Sequence, residues 1–114
     1  MIKTTLSMAS VSAILTLAFL SPSHAAVDAE AAKALFKDND CTKCHAPDKA
    51  KKGPSLKKIA EKYKGKADGQ TKLITNFTTA PTVKLTDGTE QKHKEVNTKD
   101  TKQLQNLADW ILSN

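Results

Sequence analysis

Apolar residues recur at helical spacing in four short parts of the chain. The first, Asp28–Lys37, is rich in Ala and has Asp28 placed to cap the N-terminus of a helix. Ser55–Tyr63 and Gln70–Phe77 repeat the pattern, with apolar residues three or four positions apart. The last helix is predicted to open at Thr98, with the aspartate two residues later in its first turn. The pattern therefore predicts an all-α domain of three to four short helices.

The apolar stripes of these helices identify the expected core. In the first helix the stripe is Val27, Ala31 and Leu35, with Ala34 and Phe36 beside it. The stripes of the other helices are Leu56, Ile59, Ala60 and Tyr63; Leu73, Ile74 and Phe77; and Leu104, Leu107, Ala108, Ile111 and Leu112, with Trp110 on the flank. Each stripe covers one side of its helix, so the helices should pack around a shared interior.

The helical period disappears between Thr78 and Asn97. Short segments on both sides of the turn dipeptide Asp87-Gly88 are compatible with a small hairpin. Few apolar residues anchor this stretch.

The first 25 residues have the three regions of a secretory signal peptide. Lys3 supplies a positive charge, Val11–Leu20 supplies an apolar run, and Ser23-His24-Ala25 forms a small-x-Ala cleavage site. The run is too short for a membrane anchor, which needs about 20 residues. We therefore expect a signal peptide at 1–25, a single mature domain at 26–114 and a periplasmic location. A buried N-terminal helix is the alternative.

Composition and charge narrow the function classes. The 114 residues include 18 Lys, no Arg and 12 acidic residues, which gives a formal net charge of +6. A chain of this length holds one domain and leaves no room for a two-lobed enzyme. Nucleic-acid binding is disfavoured because Arg is the usual bidentate partner of phosphate and guanine. After the predicted cleavage neither methionine remains, and His45 and His93 are the two histidines left.

The motif Cys41-Thr42-Lys43-Cys44-His45 is the strongest chemical signal in the sequence. Two thiols three residues apart can each add to one vinyl group of a porphyrin, and the following imidazole then lies under the iron as an axial ligand. The motif predicts one covalent haem c attached through Cys41 and Cys44 and ligated by His45. In bacteria such attachment takes place outside the cytoplasm, in agreement with the predicted signal peptide.

Three other uses of the same residues are open. A thiol–disulfide motif would normally lie in a thioredoxin-like unit, and no strand is predicted before Cys41. A zinc site could take Cys41, Cys44, His45 and His93, but it would place His45 awkwardly beside Cys44. A plain disulfide between the two cysteines is the third. Haem attachment is favoured over all of them.

With these residues in place, the sequence resembles the small class I c-type cytochromes of bacterial periplasm, near the cytochrome c-551/c-552 group. The likeness runs from Leu35-Phe36 and the haem motif through Gly53-Pro54-Ser55-Leu56 to Leu107–Leu112. It implies the cytochrome c fold, with the N- and C-terminal helices crossing in front of one haem. It also implies that the carbonyl of Pro54 accepts the Nδ1–H of His45 and so fixes the tautomer of that ligand.

The chain departs from this family at the distal iron ligand. The family's usual methionine is missing from residues 26–114, and His93 occupies a similar position, 48 residues after His45. The resemblance therefore implies His93 as the sixth ligand. A five-coordinate iron and ligation by Lys92, Lys94 or Asn97 are the alternatives, with His93 then an exposed residue between two lysines.

A second imidazole would favour ferric iron and lower the reduction potential relative to a thioether ligand. Burial of the porphyrin would act in the opposite direction, and the ligand change is expected to dominate. The side chains expected around the porphyrin are Leu56, Ile59, Leu73, Phe77 and Leu85.

These features favour a soluble periplasmic electron carrier over an enzyme, since no histidine remains to act as an acid or base after haem ligation. A face covered by lysines is expected to steer the protein to acidic patches on redox partners. No nucleic acid, membrane anchor or second copy of the chain is expected to take part. A haem-based sensor or gas-binding protein with a labile His93 is the alternative function.

Overall fold

The computed structural model describes residues 26–114, so the predicted signal peptide at 1–25 lies outside the described residues. Four α-helices form within this range: α1 Ala29–Asp38, α2 Leu56–Tyr63, α3 Gly69–Thr78 and α4 Thr101–Leu112. A 3-10 turn at Cys41–Lys43 follows α1, and a hairpin of β1 Thr82–Lys84 and β2 Glu90–Lys92 separates α3 from α4. None of the four helices is long and apolar enough to cross a membrane. The prediction of a helical domain with a small hairpin is confirmed.

Polar side chains fix the starts of α1 and α2. Asp28 caps α1 as predicted, whereas Ser55, the predicted first residue of the second helix, is its N-cap. The Asp28 carboxylate accepts a hydrogen bond of 3.0 Å from the N–H of Ala31, and the Ser55 hydroxyl accepts one of 3.1 Å from the N–H of Lys58. Each bond satisfies an N–H group that has no partner inside its helix. Both helices therefore begin one residue after the capping side chain.

The start of α4 differs from the prediction. Asp100 is the N-cap, with an extended backbone at φ −71° and ψ 112°. Its carboxylate accepts a hydrogen bond of 3.1 Å from the N–H of Gln103. The predicted start at Thr98 is wrong because the Asp100 side chain binds a first-turn N–H and so holds its own residue outside the helix.

The crossing of α1 and α4 holds the two ends of the domain together. Phe36 meets Trp110 edge to face, with ring centres 5.4 Å apart and an interplanar angle of 67°. At the start of α1, the Asn106 side chain accepts a bond of 2.8 Å from the N–H of Asp28. The same side chain donates one of 2.9 Å to the Asp28 carbonyl. This contact matches the crossing that the resemblance implies.

The buried face of α1 differs from the predicted stripe, whereas the stripes of the other helices are confirmed. Ala32 and Phe36 are buried and Leu35 is half-buried, but Ala31 is exposed. Val27 is 40% exposed. The large apolar surface of Phe36 packs on α4, and this contact decides which side of the helix faces inward. The buried members of the other stripes are Leu56, Ala60, Leu73, Phe77, Leu104, Leu107, Ala108 and Ile111.

The hairpin is antiparallel, with Val83 opposite Gln91. Gly88 closes its turn at φ 88°, in the left-handed region that glycine adopts most readily. Thr86, at the tip, donates its N–H to the Lys52 carbonyl at 3.1 Å and its hydroxyl to the Lys51 carbonyl at 2.6 Å. The hairpin is thereby tied to the loop that leads into Gly53-Pro54.

Candidate haem site

A tight turn after α1 places the Cys41–His45 motif. Asp40 has a left-handed backbone at φ 60°, a conformation that Asp tolerates better than most side chains. The N–H groups of Cys44 and His45 both donate to the Cys41 carbonyl, at 3.1 and 3.0 Å. This arrangement brings both thiols and the imidazole to the wall of one cavity of about 1050 Å³.

The remainder of the cavity wall is largely apolar. All five side chains expected around a porphyrin line it, together with Tyr63, Val83, Val96, Leu107 and Ile111. Residues from α2, α3, α4 and the hairpin thus surround the motif, so that a large apolar group attached there would be enclosed on several sides.

His45 is held by the carbonyl that the resemblance assigns to it. Its Nδ1 lies 2.7 Å from the Pro54 oxygen, so Nδ1–H donates to this carbonyl and leaves Nε2 as the basic nitrogen. Burial lowers the pKa of His45 below its ordinary value; the bond to Pro54 acts in the opposite direction, and nearby His93 lowers the pKa further. The balance favours the neutral imidazole, which is the form that binds a metal.

Gly53 makes room for the His45 ring, a role that the spacing of the sequence does not reveal. A Cβ at position 53 would lie 2.7 Å from His45 Cε1 and 3.2 Å from its Nδ1. The N–H of Gly53 also donates to the Cys44 carbonyl at 2.9 Å. The only sequence signal for this contact is the position of the glycine directly before Pro54.

Gly53→Ala should therefore displace His45 and destabilise the haem-bound protein by about 1 to 3 kcal/mol, as overpacking does elsewhere. The measurement is thermal unfolding together with the visible spectrum, in which altered axial ligation is expected. Gly65→Ala is the control, since Gly65 has φ 77° and nothing within 4 Å of the added Cβ. It should lower stability through backbone strain alone and leave the spectrum unchanged. An unchanged Gly53→Ala spectrum would refute the packing argument.

His93 lines the same cavity and comes from a segment far from the haem motif in the sequence. It follows β2 directly, and its N–H donates to the Pro81 carbonyl at 2.8 Å. Its Nδ1 lies 2.8 Å from the Lys94 carbonyl oxygen. The ring centres of His45 and His93 are 6.2 Å apart, with an interplanar angle of 38°. The structure thus brings together Cys41, Cys44, His45, Pro54 and His93, the five residues singled out from the sequence.

Of the three alternative distal ligands, two line the cavity and one does not. Lys92 and Lys94 also line the cavity, whereas Asn97 is exposed and its N–H donates to the Asn39 side chain at 2.7 Å.

The other uses of the cysteines fit the geometry poorly. No disulfide joins Cys41 to Cys44, and in the chain without haem burial raises the pKa of the Cys41 thiol to about 11. A thiol–disulfide site needs the opposite shift, because the thiolate is the reactive form. Among residues 26–114, no three His, Cys, Asp or Glu side chains converge as metal ligands would. Zinc binding and redox exchange by thiols therefore have no support in this site.

A helical fold around an apolar cavity, with two thiols and an imidazole on its wall, defines a protein that carries covalent haem. The family model for cytochrome c matches residues 29–114. The chain belongs to the cytochrome c family.

Two solved structures show the same fold. Class 1 cytochrome MtoD from Sideroxydans lithotrophicus ES-1 is 53% identical, with a TM-score of 0.73 over 77% of this chain and 97% of that one. Cytochrome c552 from Nitrosomonas europaea is 31% identical, with a TM-score of 0.56 over 71% of this chain and 96% of that one. The search of curated proteins found no match.

The prediction of the cytochrome c fold is thus confirmed. The pair Cys41 and Cys44 carries one covalently attached haem c, which supplies an iron centre that accepts and donates single electrons. Members of this family are electron carriers, and the chain is an electron-transfer haem protein.

Proposed function

We propose that this protein is a soluble periplasmic electron carrier whose haem iron is ligated by His45 and His93. The observation that carries the proposal is the distance of 6.2 Å between the two ring centres across the cavity. A metal–imidazole bond is about 2.0 to 2.1 Å long, so two imidazoles on opposite sides of one metal have ring centres about 6 Å apart. This spacing supports the proposal that His45 and His93 would hold one iron between them.

The hydrogen bonds of the two rings support the same assignment. His45 Nδ1 meets the Pro54 carbonyl, and His93 Nδ1 meets the Lys94 carbonyl. In each ring Nδ1 is engaged by a backbone acceptor, so Nε2 is the nitrogen left to ligate. The acceptor also strengthens the imidazole as a donor to iron, which adds to the preference of paired imidazoles for the ferric state. We therefore propose a low reduction potential.

An electron carrier needs no substrate site beyond the edge of its haem. His45 and His93 are the two histidines of residues 26–114, and ligation by both leaves no imidazole for acid–base catalysis. The hairpin and the loop before Gly53 meet at Thr86 beside the cavity. Their role in this proposal is to enclose the haem and hold its ligands in place.

Lysines around the cavity suggest how partners are recognised. Seven lysines line it, namely Lys43, Lys52, Lys58, Lys62, Lys84, Lys92 and Lys94, against the two acids Asp40 and Glu61. Asp40 is paired with Lys43 at 3.2 Å, which offsets one charge of each sign and leaves the lysines in excess. We propose that this basic rim guides a monomer to acidic patches on redox proteins, in weak and salt-sensitive encounters.

The periplasmic location rests on the sequence of the first 25 residues. A charged start, an apolar run and a small-x-Ala site predict cleavage after Ala25. The mature chain would then begin at Ala26, two residues before the Asp28 cap of α1. Export also agrees with covalent haem attachment, which in bacteria takes place outside the cytoplasm.

A gas-binding sensor is the second candidate, and the exposure of β2 and of the adjoining His93 favours it. All three residues of β2 are exposed, and His93, which follows them, is only half-buried. A ligand held by such a segment could detach when iron is reduced or when a gas competes for its position.

Carbon monoxide added to the reduced protein distinguishes the carrier from the sensor. If His93 stays bound, the gas must wait for an open coordination position, so we expect no binding or slow binding in stopped-flow absorbance. A sensor with a labile ligand should bind the gas within the mixing time. Rapid binding by the wild-type protein would therefore exclude the carrier with stable bis-His ligation.

A further inference from the structure

We infer that Asn39 is a positioning residue that holds the distal segment His93–Asn97 closed over the sixth coordination position. The inference rests on the proposed ligation by His93. Asn39 is 5% exposed and immediately follows α1. It is the C-cap of that helix and lies two residues before Cys41, so it belongs to the part of the site that carries His45. Its side chain nevertheless contacts the segment that carries His93.

Both ends of the Asn39 amide are engaged. Nδ2 donates to the Leu35 carbonyl at 2.8 Å, and Oδ1 accepts from the N–H of Asn97 at 2.7 Å. The first bond fixes the side chain on the end of α1, and the second attaches the distal segment to it. A buried amide that bridges two backbone segments in this way is costly to remove, since both partners lose their hydrogen bonds.

The attachment is short enough to act on His93. Asn97 is four residues after His93, and between them Val96 is buried and donates its N–H to the Phe77 carbonyl at 2.8 Å. At the other end, the N–H of His93 donates to Pro81. Three hydrogen bonds therefore hold the segment. Of these three, the bond to Asn39 is the one that connects the segment to the residues next to the haem motif.

This arrangement has a kinetic consequence for ligand exchange. Before an external ligand can bind, His93 must leave the iron, and the segment that carries it must move outward. Such a movement separates Asn97 from Asn39, so their hydrogen bond adds to the cost of opening. Asn39 thus keeps the coordination position closed without touching the iron, which suits an electron carrier and not a sensor.

The test compares Asn39→Ala with Asn106→Ala in the haem-bound protein. Asn106 is a matched control because its side chain also makes two hydrogen bonds to backbone, both to Asp28 at the start of α1. Each variant should lose stability, but only Asn39→Ala should speed carbon monoxide binding to the reduced protein. We expect about a tenfold increase, as the loss of one buried hydrogen bond to the closed state predicts. The visible spectrum before gas addition should stay unchanged.

Asn39→Asp provides a second variant of the same shape. Its carboxylate can still accept from Asn97 but cannot donate to Leu35, so carbon monoxide should bind at a rate closer to that of the wild type than to that of Asn39→Ala. Equal rates in wild type, Asn39→Ala and Asn39→Asp would overturn the role of Asn39 alone, as would an equal increase in Asn106→Ala. His93→Ala is run beside them: an unchanged low-spin spectrum in that variant would overturn the proposed ligation, and the inference with it.

Discussion

His93→Met should raise the reduction potential of the haem. A thioether stabilises ferrous iron relative to an imidazole, and the position after β2 already brings the side chain to the cavity. Axial ligands set haem potentials over a range of roughly 0.8 V, and we expect this single exchange to move the potential upward on the order of 0.1 V. Protein-film voltammetry of both proteins at one pH measures the change. A potential that stays the same or falls would argue against His93 as the ligand.

His93→Ala should behave differently because it leaves a coordination position open. Ferric iron is then expected to take water and to lose its low-spin spectrum, and ferrous iron should bind carbon monoxide within the mixing time. Lys92→Ala and Lys94→Ala are the controls, since both lysines line the cavity beside His93. If His93 is the ligand, neither lysine variant should change the spectrum. A low-spin His93→Ala protein, together with an altered lysine variant, would assign the ligand to lysine.

Without haem the chain should fail to form a stable native state. The cavity of about 1050 Å³ is bordered by much of the core. Without haem this apolar wall would face water, and burial of apolar surface is the dominant stabilising term in domains whose free energy of unfolding is normally only about 5 to 15 kcal/mol. The apoprotein is therefore expected to be unfolded or collapsed without fixed packing.

The experiment uses the double variant Cys41→Ala/Cys44→Ala, which cannot form thioether bonds to haem. Near-ultraviolet circular dichroism should lack the fixed signal of Trp110, and side-chain NMR resonances should show little dispersion. The wild-type protein with its haem attached is the reference under identical conditions. Cooperative unfolding and well-dispersed resonances in the haem-free double variant would show that the polypeptide folds without its cofactor.

The parts of the fold that depend on neighbouring residues could be predicted from the sequence. Asp28 caps α1 as predicted because its side-chain oxygen bonds an N–H three residues ahead, and the stripes of α2 to α4 follow from the helical period. The predicted start of α4 is wrong because several polar residues near Thr98 are chemically able to cap, and the local pattern alone does not choose among them.

The parts that depend on distant contacts could not be predicted. Packing of Phe36 on Trp110 decides which face of α1 is buried, and these residues are far apart in the chain. Within the site, the sequence reveals the haem motif and the position of His93 but not the roles of Gly53 and Asn39. The role of Gly53 depends on the orientation of the His45 ring, and that of Asn39 on a partner 58 residues away.

The crossing of α1 and α4 also affects the order of events during folding after export. Asp28 and Asn106 are 78 residues apart, so the contact between the two helices closes a loop that contains almost the whole domain. Contacts of such long range form late, because the loop between them has to be closed. Cys41 and Cys44 lie inside this loop and stay accessible while it is open. Haem can therefore reach both thiols before α4 packs on α1 and closes the domain over it.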